Sequence, residues 1–356
     1  MRSRLGVAAA LPTALAVAAL VLLAGCPQRT TPTPPPTKTK MPAKLPTAPP
    51  EAGPQALAAA TEMAPPTEPA GGWKPHKIAA TLLTRKHPFY QELEAALRDT
   101  AKRYKVDIDI QSADMNPSTQ RDQIQDFLAK GKDAIIVCPA DSASVGGAIA
   151  LANQAKVPVF TADIAADEGD VVCHIASDNV QGGRLAGEYL AKLLNDQGDV
   201  LIIDHPTVRS AQDRVKGFEA VMADKPGIKI VDKPAAGGLR DKAFEKTQNA
   251  LTANPNVKGI FGINDDSALG ALSAVEQAKR TGIVIVGYDA TPEARKTILR
   301  GTQLKADVIQ YPREIARLTI EAVVRFLNGE QVPKEIPVPV GIWDAEAAAK
   351  EKSAGA

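Results

Sequence analysis

Two polar residues stand where an amide and a carboxylate can act together on one small ligand. Asn264 follows the apolar run 259–263, and Asp289 closes the apolar run that begins at Ile283. Between the runs lies the apolar periodicity of an amphipathic helix, so residues 259–292 read as strand–helix–strand. Both side chains then sit at the carboxyl ends of parallel strands, the edge where open α/β sheets bind ligands. An ionised Asp only accepts hydrogen bonds, whereas Asn both donates and accepts. That pair suits the recognition of hydroxyl groups.

The elements that must position them follow from the rest of the pattern. Strands are expected at 77–83, 106–111, 134–137, 157–161, 171–175, 200–203, 228–231, 259–263, 283–287 and 303–309. Helical periodicity fills most of the gaps, as at 89–104, 119–130, 183–194 and 243–253. Alternating strands and helices give parallel sheets covered on both faces. Ten strands are many for one open sheet, and their spacing predicts two sheets of about five or six. An internal echo supports two similar halves. Cys138-Pro-Ala-Asp-Ser-Ala leads through Gln154-Ala155-Lys156 to a strand ending at Asp163. Asn264-Asp-Asp-Ser-Ala leads through Gln277-Ala278-Lys279 to a strand ending at Asp289. Asp141 and Asp266 are expected at helix starts, where caps and the helix dipole favour carboxylates.

Composition sets the outer limits. Of 356 residues, 44% are hydrophobic and 23% charged, and the formal net charge is +1. That leaves no basic stripe for nucleic acid. Arg2 and Arg4 precede an apolar run ending Leu23-Ala24-Gly25-Cys26, which reads as an export signal over residues 1–25. Residues 26–75 hold half of the chain's 28 prolines and read as a disordered, semi-rigid tether.

Six segments, in order, resemble one family. They are His87-Pro88-Phe89-Tyr90, Pro139-Ala140-Asp141-Ser142, Ala152-Asn153-Gln154-Ala155, His174-Ile175-Ala176-Ser177-Asp178-Asn179, Ala268-Leu269-Gly270-Ala271 and Val286-Gly287-Tyr288-Asp289-Ala290-Thr291-Pro292. The chain from about residue 76 to about 345 resembles the periplasmic binding proteins of the ribose-binding class, the ligand-capturing partners of sugar ABC importers. The Leu-Ala-Gly-Cys sequence resembles a bacterial lipoprotein signal, with Cys26 as the acylated N-terminus and the anchor to a membrane. The resemblance implies the type I periplasmic binding protein fold: two Rossmann-like α/β lobes with parallel sheets, joined by a hinge that the chain crosses three times. The crossings are expected near Ser177, Gln310 and Pro339. The first lobe would be 76–177 with 311–339, the second 178–310 with 340–356. The implied partners are a monosaccharide or small polyol, a membrane permease and the membrane itself, with the protein a monomer facing the periplasm or the outer side of the cytoplasmic membrane. No cofactor and no metal are implied. Carried over by position, the ligand contacts are His87, Phe89, Tyr90, Cys138 and Asp163 with Ile164 in the first lobe. The second supplies Arg214, Asn264 and Asp289, and the hinge Gln310.

The chain also departs from the family's ribose sites. Amides commonly stand where it has His87 and Cys138, an arginine where it has Ile164, and an aromatic within the stretch Ala235-Ala236-Gly237-Gly238. The expected ligand is therefore a relative of ribose: a pentose, a deoxysugar or another small polyol. Three other functions are weighed. A Cys138–His87 nucleophile and base has no third orienting group and no nucleophile elbow or phosphate loop. A repressor needs an N-terminal helix-turn-helix, where this chain has a signal and a proline tether. A sensory binding module that presents sugar to a receptor shares both fold and site. Cys138 and Cys173 lie in or beside strands of one lobe, and a disulfide between them stays open as an alternative.

Overall fold

Ala134–Val137 (β3) is four apolar residues with no exposed surface, the mark of a strand covered on both faces. Among the residues described by the computed structural model, 64–69 and 71–354, twelve strands form two six-stranded sheets. The first sheet runs β11-β5-β4-β3-β1-β2, built from β1 (Lys77–Leu82), β2 (Asp107–Ser112), β3, β4 (Val159–Ala162), β5 (Cys173–Ser177) and β11 (Glu335–Val338). The second runs β12-β10-β9-β8-β6-β7, from β6 (Gly198–Ile203), β7 (Ile228–Asp232), β8 (Val257–Gly262), β9 (Val284–Asp289), β10 (Leu304–Ile309) and β12 (Gly341–Asp344). All pairings are parallel except β10 with β12. The chain leaves the first sheet after Ser177, returns after Ile309 and crosses again between Val338 and Gly341.

The alternating pattern therefore produced the two parallel-sheet lobes it predicted. Ten strands were legible and two were not. β11 carries Pro337 and, like β12, has only four residues. A proline lacks the N–H that an inner ladder needs, but at a sheet edge that loss costs nothing. β11 and β12 are each the edge strand of their sheet.

Two helices fix the crossings. α4 (Asn179–Leu193) follows β5 and packs on α5 (Arg209–Ala223) in the second lobe. α9 (Pro312–Leu327) follows β10 and packs on α1 (Pro88–Arg103) in the first, burying Ile315, Ala316, Leu318 and Val323. The signal segment, Cys26 and most of the tether lie outside the described residues. The last tether residues are packed on the first lobe: Pro66 is buried, and the Trp73 ring meets Tyr104 edge-on at 5.0 Å. Packing thus begins ahead of residue 76, because an indole and a proline have apolar surface to bury.

Candidate functional site

The cleft between the sheets' carboxyl edges encloses a cavity of about 250 Å³. That is below the ~300–1,000 Å³ of sites for drug-sized ligands, and fits something smaller. His87, Phe89, Tyr90 and Asp163 line it from the first lobe, Arg214, Asn264 and Asp289 from the second, and Gln310 from the hinge. With Ile164, nine of the ten expected contacts therefore meet in one cavity.

Cys138 is the exception and corrects the expectation that it lines the cleft. It has no exposed surface and stands behind the wall, where its carbonyl accepts a 2.9 Å bond from Gln120 Nε2. The sulfur, small and apolar, packs among core residues with Ile136 and Ala140, and burial raises its thiol pKa well above the usual value. Cys138 and Cys173 are both free thiols.

His87 is the N-cap of α1, with Pro88 at the first helical position. Its Nδ1 accepts the Phe89 backbone N–H at 3.2 Å, so the neutral ring carries its proton on Nε2. Nε2 points across the cleft and lies 3.3 Å from Asp289 Oδ2, within ion-pair reach but not aligned as a hydrogen bond. Tyr90, in the first turn of the same helix, donates its hydroxyl to Asp163 Oδ2 at 2.5 Å. Asp163 follows β4 with a φ of 66°, a left-handed conformation that turns its side chain into the cleft. Its other oxygen is buried and has no partner. Burial pushes the Asp163 carboxyl up to about 6, against the pull of Arg214 and the Tyr90 hydrogen bond.

In the second lobe, helix packing sets Arg214. A side chain at Gly183 of α4 would collide with the Arg214 carbonyl, and one at Gly217 of α5 with the Val180 carbonyl. The two helices approach this closely only because both positions are glycine. The guanidinium then donates to Asn179 Oδ1 at 2.8 Å and to the Ile263 carbonyl at 2.7 Å, and lies 3.8 Å from the centre of the Tyr288 ring. Its nearest carboxylate is Asp289, at 3.9 Å. Asn264 caps α7 (Asp265–Gln277): Oδ1 accepts Ser267 N–H at 2.9 Å, and Nδ2 gives one of its hydrogens to the Gly238 carbonyl at 3.2 Å. Asp289 ends β9 with a φ of 113°. Gln310 Nε2 donates to its Oδ1 at 2.5 Å, which leaves Gln310 Oε1 buried without a donor.

The two expected helix starts divide. Asp266 lies in the first turn of α7. Asp141 does not begin a helix: it caps a turn through Ser144 N–H at 2.8 Å, and α3 (Gly146–Gln154) starts later, with Val145 as its cap. The delay leaves Ser142 free to bridge the lobes. Its N–H donates to the Thr207 carbonyl at 3.0 Å, and its Oγ accepts Arg209 N–H at 2.9 Å. Beside it, Arg209 pairs with Asp167. The lobes are closed on one another.

Sequence reasoning passed over part of the wall. Leu83, Met115, Val208 and Leu239 give it apolar surface beside the expected Ile164. His205, two residues past the end of β6, also lines it, and burial with the nearby Arg214 pushes its pKa down to about 4, so the ring is neutral. The rule that singled out Asn264, a polar residue just beyond a strand's carboxyl end, also points to His205.

The arrangement can hold a small, neutral, hydroxyl-bearing molecule. Asp163 Oδ1 and Gln310 Oε1 await donors, and His87 Nε2 offers a proton. The model of the periplasmic binding protein domain matches residues 78–331. The chain belongs to the periplasmic binding protein family. Its relatives include the ribose import binding protein RbsB of Salmonella typhimurium, 36% identical over 262 residues, 73% of this chain and 88% of that protein. Among solved structures it is similar to an ABC transporter periplasmic solute binding protein from Actinobacillus succinogenes with bound D-allose. That likeness has a TM-score of 0.72 at 30% identity, covering 78% of this chain and all of the other. A Caulobacter myo-inositol binding protein, bound to myo-inositol, matches with a TM-score of 0.73 at 28% identity over 79% of this chain and 97% of the other. The fold of this periplasmic binding protein is thus the two-lobed type I architecture expected from its sequence.

Proposed function

We propose that this chain is the substrate-binding component of a sugar ABC importer, capturing a monosaccharide or small polyol between its lobes and delivering it to a membrane permease. The observation that carries this reading is the closed cleft, where His87 of one lobe reaches Asp289 of the other across a cavity with three buried, unpartnered polar atoms. Each lobe supplies part of the ligand's contacts, so ligand favours the closed state by its differential affinity. Family membership favours import over presentation to a receptor. As a periplasmic binding protein the chain is exported. The finer placement, acylation at Cys26 with the protein held to the membrane as a monomer, belongs to the proposal. Among the described residues no helix is long and apolar enough to cross a membrane.

The ligand differs from ribose on its first-lobe side. Tyr90 occupies one oxygen of Asp163, and Leu83, Met115 and Ile164 give that wall apolar surface beside Thr84, Lys86, His87 and Asp114. A pentose, a deoxysugar or a short polyol fits that wall. A thermal-shift screen of neutral pentoses, hexoses, deoxysugars and polyols tests the function. A ligand at 100 times its Kd stabilises the fold by about 2.7 kcal/mol. At least one of these compounds is expected to raise the melting temperature by several degrees, whereas amino acids and nucleosides leave it unchanged. A response confined to a non-carbohydrate compound contradicts the reading.

Binding should also weaken in acid. Asp163 must be ionised to accept a ligand hydroxyl on Oδ1 while Oδ2 accepts from Tyr90. With its carboxyl at about 6, Asp163 is fully ionised above neutrality, and affinity is expected to fall as pH drops through 6, by up to tenfold per unit. The free protein moves the other way. A carboxylate raised above its unfolded value near 4 contributes most stability below that value, and the contribution is lost as pH rises through 6. Calorimetric titrations between pH 7.5 and 4.5 read both limbs, and an affinity that stays level across that range removes Asp163 from the ligand.

A further inference from the structure

We propose that Asp307 is a positioning residue for Asp289, acting through a proton that it shares with Asp265 beneath the binding site. The proposal rests on the reading of Asp289 as a sugar ligand and adds how that carboxylate is held. Asp307 lies on β10, in register with Gly287 on β9 and Trp343 on β12. A side chain at Gly287 would collide with Asp307 Oδ1. Glycine at that position lets the carboxyl lie against the β9 backbone, within side-chain hydrogen-bonding reach of Asp265 at the start of α7.

Asp265 grips both ends of the binding turn. Its N–H donates to Asp289 Oδ2 at 3.4 Å, and its Oδ2 accepts Thr291 N–H at 2.7 Å. Between them Asp289 and Ala290 hold φ values of 113° and 54°, conformations that cost a non-glycine residue energy and persist only when their surroundings enforce them. Asp265 is the enforcing group, and Asp307 is what holds Asp265.

Asp265 Oδ1 and both oxygens of Asp307 are buried and have no partner. Asp307 has no exposed surface and Asp265 almost none. The charged groups that act on the pair are Asp289 at the end of β9 and Arg295 on α8 (Pro292–Leu299). Arg295 is engaged by the Ala290 carbonyl at 2.8 Å, the Trp343 ring at 4.9 Å and Glu351 at 3.8 Å. Two adjoining carboxylates with three of their four oxygens lacking a donor, and with no cation of their own, cannot both ionise in a dry interior. One proton between them turns an acceptor into a donor and satisfies the pair. Burial raises both carboxyls above their ordinary range, with repulsion from Asp307 adding at Asp265 and repulsion from Asp289 adding at both. Among the described residues no group of three or more His, Cys, Asp or Glu is arranged to hold a metal ion in place of that proton.

Loss of the proton sets like charges against each other one step below Asp289, so the turn loosens on the alkaline side of neutrality. The test uses the full chain with Asp307→Asn and Asp307→Leu. Infrared difference spectra should show a protonated carboxylic acid in the wild type at pH 7 that is missing in D307N. Calorimetry with the tightest binder among D-ribose, D-allose, xylitol and myo-inositol should show wild-type affinity falling by roughly tenfold or more between pH 7 and 9.5, the range one proton allows. D307N carries a donor that cannot titrate, so its alkaline limb is level and its affinity at pH 7 stays within about threefold. D307L should lose at least tenfold at every pH while keeping a native circular dichroism spectrum. A D307L protein that binds as the wild type does overturns the positioning role. A wild type without the acid band, or sharing its alkaline limb with D307N, overturns the shared proton. If none of the four probes binds, the reading of Asp289 as a sugar ligand falls, and this role falls with it.

Discussion

Replacing Asp289 by alanine is expected to weaken sugar binding by about thirtyfold or more. The carboxylate sits where Gln310, His87, Arg214 and the Asp265 N–H converge, and it is the acceptor that a ligand hydroxyl must reach in the second lobe. Without it, donors on ligand and protein are left buried without an acceptor, at ~1–3 kcal/mol each. A loss of at least ~2 kcal/mol corresponds to about thirtyfold in Kd. In the free protein the lost acceptor is opposed by a second effect. Asp289 raises the carboxyl pKa values of Asp163, Asp265 and Asp307, so removing it relieves repulsion at three buried acids. Asp289→Asn keeps the side-chain shape and relieves the same repulsion, but replaces one acceptor oxygen by a donor. Both variants should bind weakly, and Asp289→Asn should melt above Asp289→Ala, because its carboxamide oxygen can still accept from Gln310. An unchanged Kd in the alanine variant removes the residue from the site.

The second large effect is at Arg214. Replacing it by methionine keeps the length and apolar stem but removes the guanidinium from the cavity lining. Asn179 Oδ1 loses its 2.8 Å donor and the Ile263 carbonyl its 2.7 Å donor. Asp163 loses the first of the influences that hold its pKa down. Removing one partner of a buried charge network costs about 3–5 kcal/mol. R214M should therefore melt well below the wild type and bind sugar at least ~100-fold more weakly at neutral pH. Its remaining acid limb should move to higher pH, because the Asp163 carboxyl rises further. Arg214→Lys should recover part of the stability but little of the affinity, since a single ammonium cannot reproduce the fixed fork of donors. A lysine variant with wild-type affinity and an acid limb in its original place contradicts this account of Arg214.

The sequence showed more of the frame than of its contacts. Asn264 and Asp289 were visible because each breaks an apolar run at a strand's carboxyl end, and strand ends converge in a parallel sheet. The repeat of that unit around Asp163 showed the opposite wall. Cys138 misled because residue type does not say how deep a position lies. It follows β3 by one residue, yet its carbonyl is bonded to Gln120 and its side chain points into the core. β11 and β12 were hidden by their length and by Pro337, which only an edge strand tolerates. The Asp265–Asp307 contact was out of reach for a different reason. Nothing local marks Asp307 as special inside Leu304–Ile309. Its meaning comes from the register that sets it beside Gly287, and register belongs to the sheet.

The decisive measurement is a crystal structure of the protein with the tightest-binding sugar from the screen. The expected density lies between the lobes, with ligand hydroxyls within hydrogen-bonding distance of Asp289, Gln310 Oε1 and Asp163 Oδ1, and an acceptor facing His87 Nε2. A sugar bound outside the cleft, or held by one lobe with Asp289 untouched, contradicts the account.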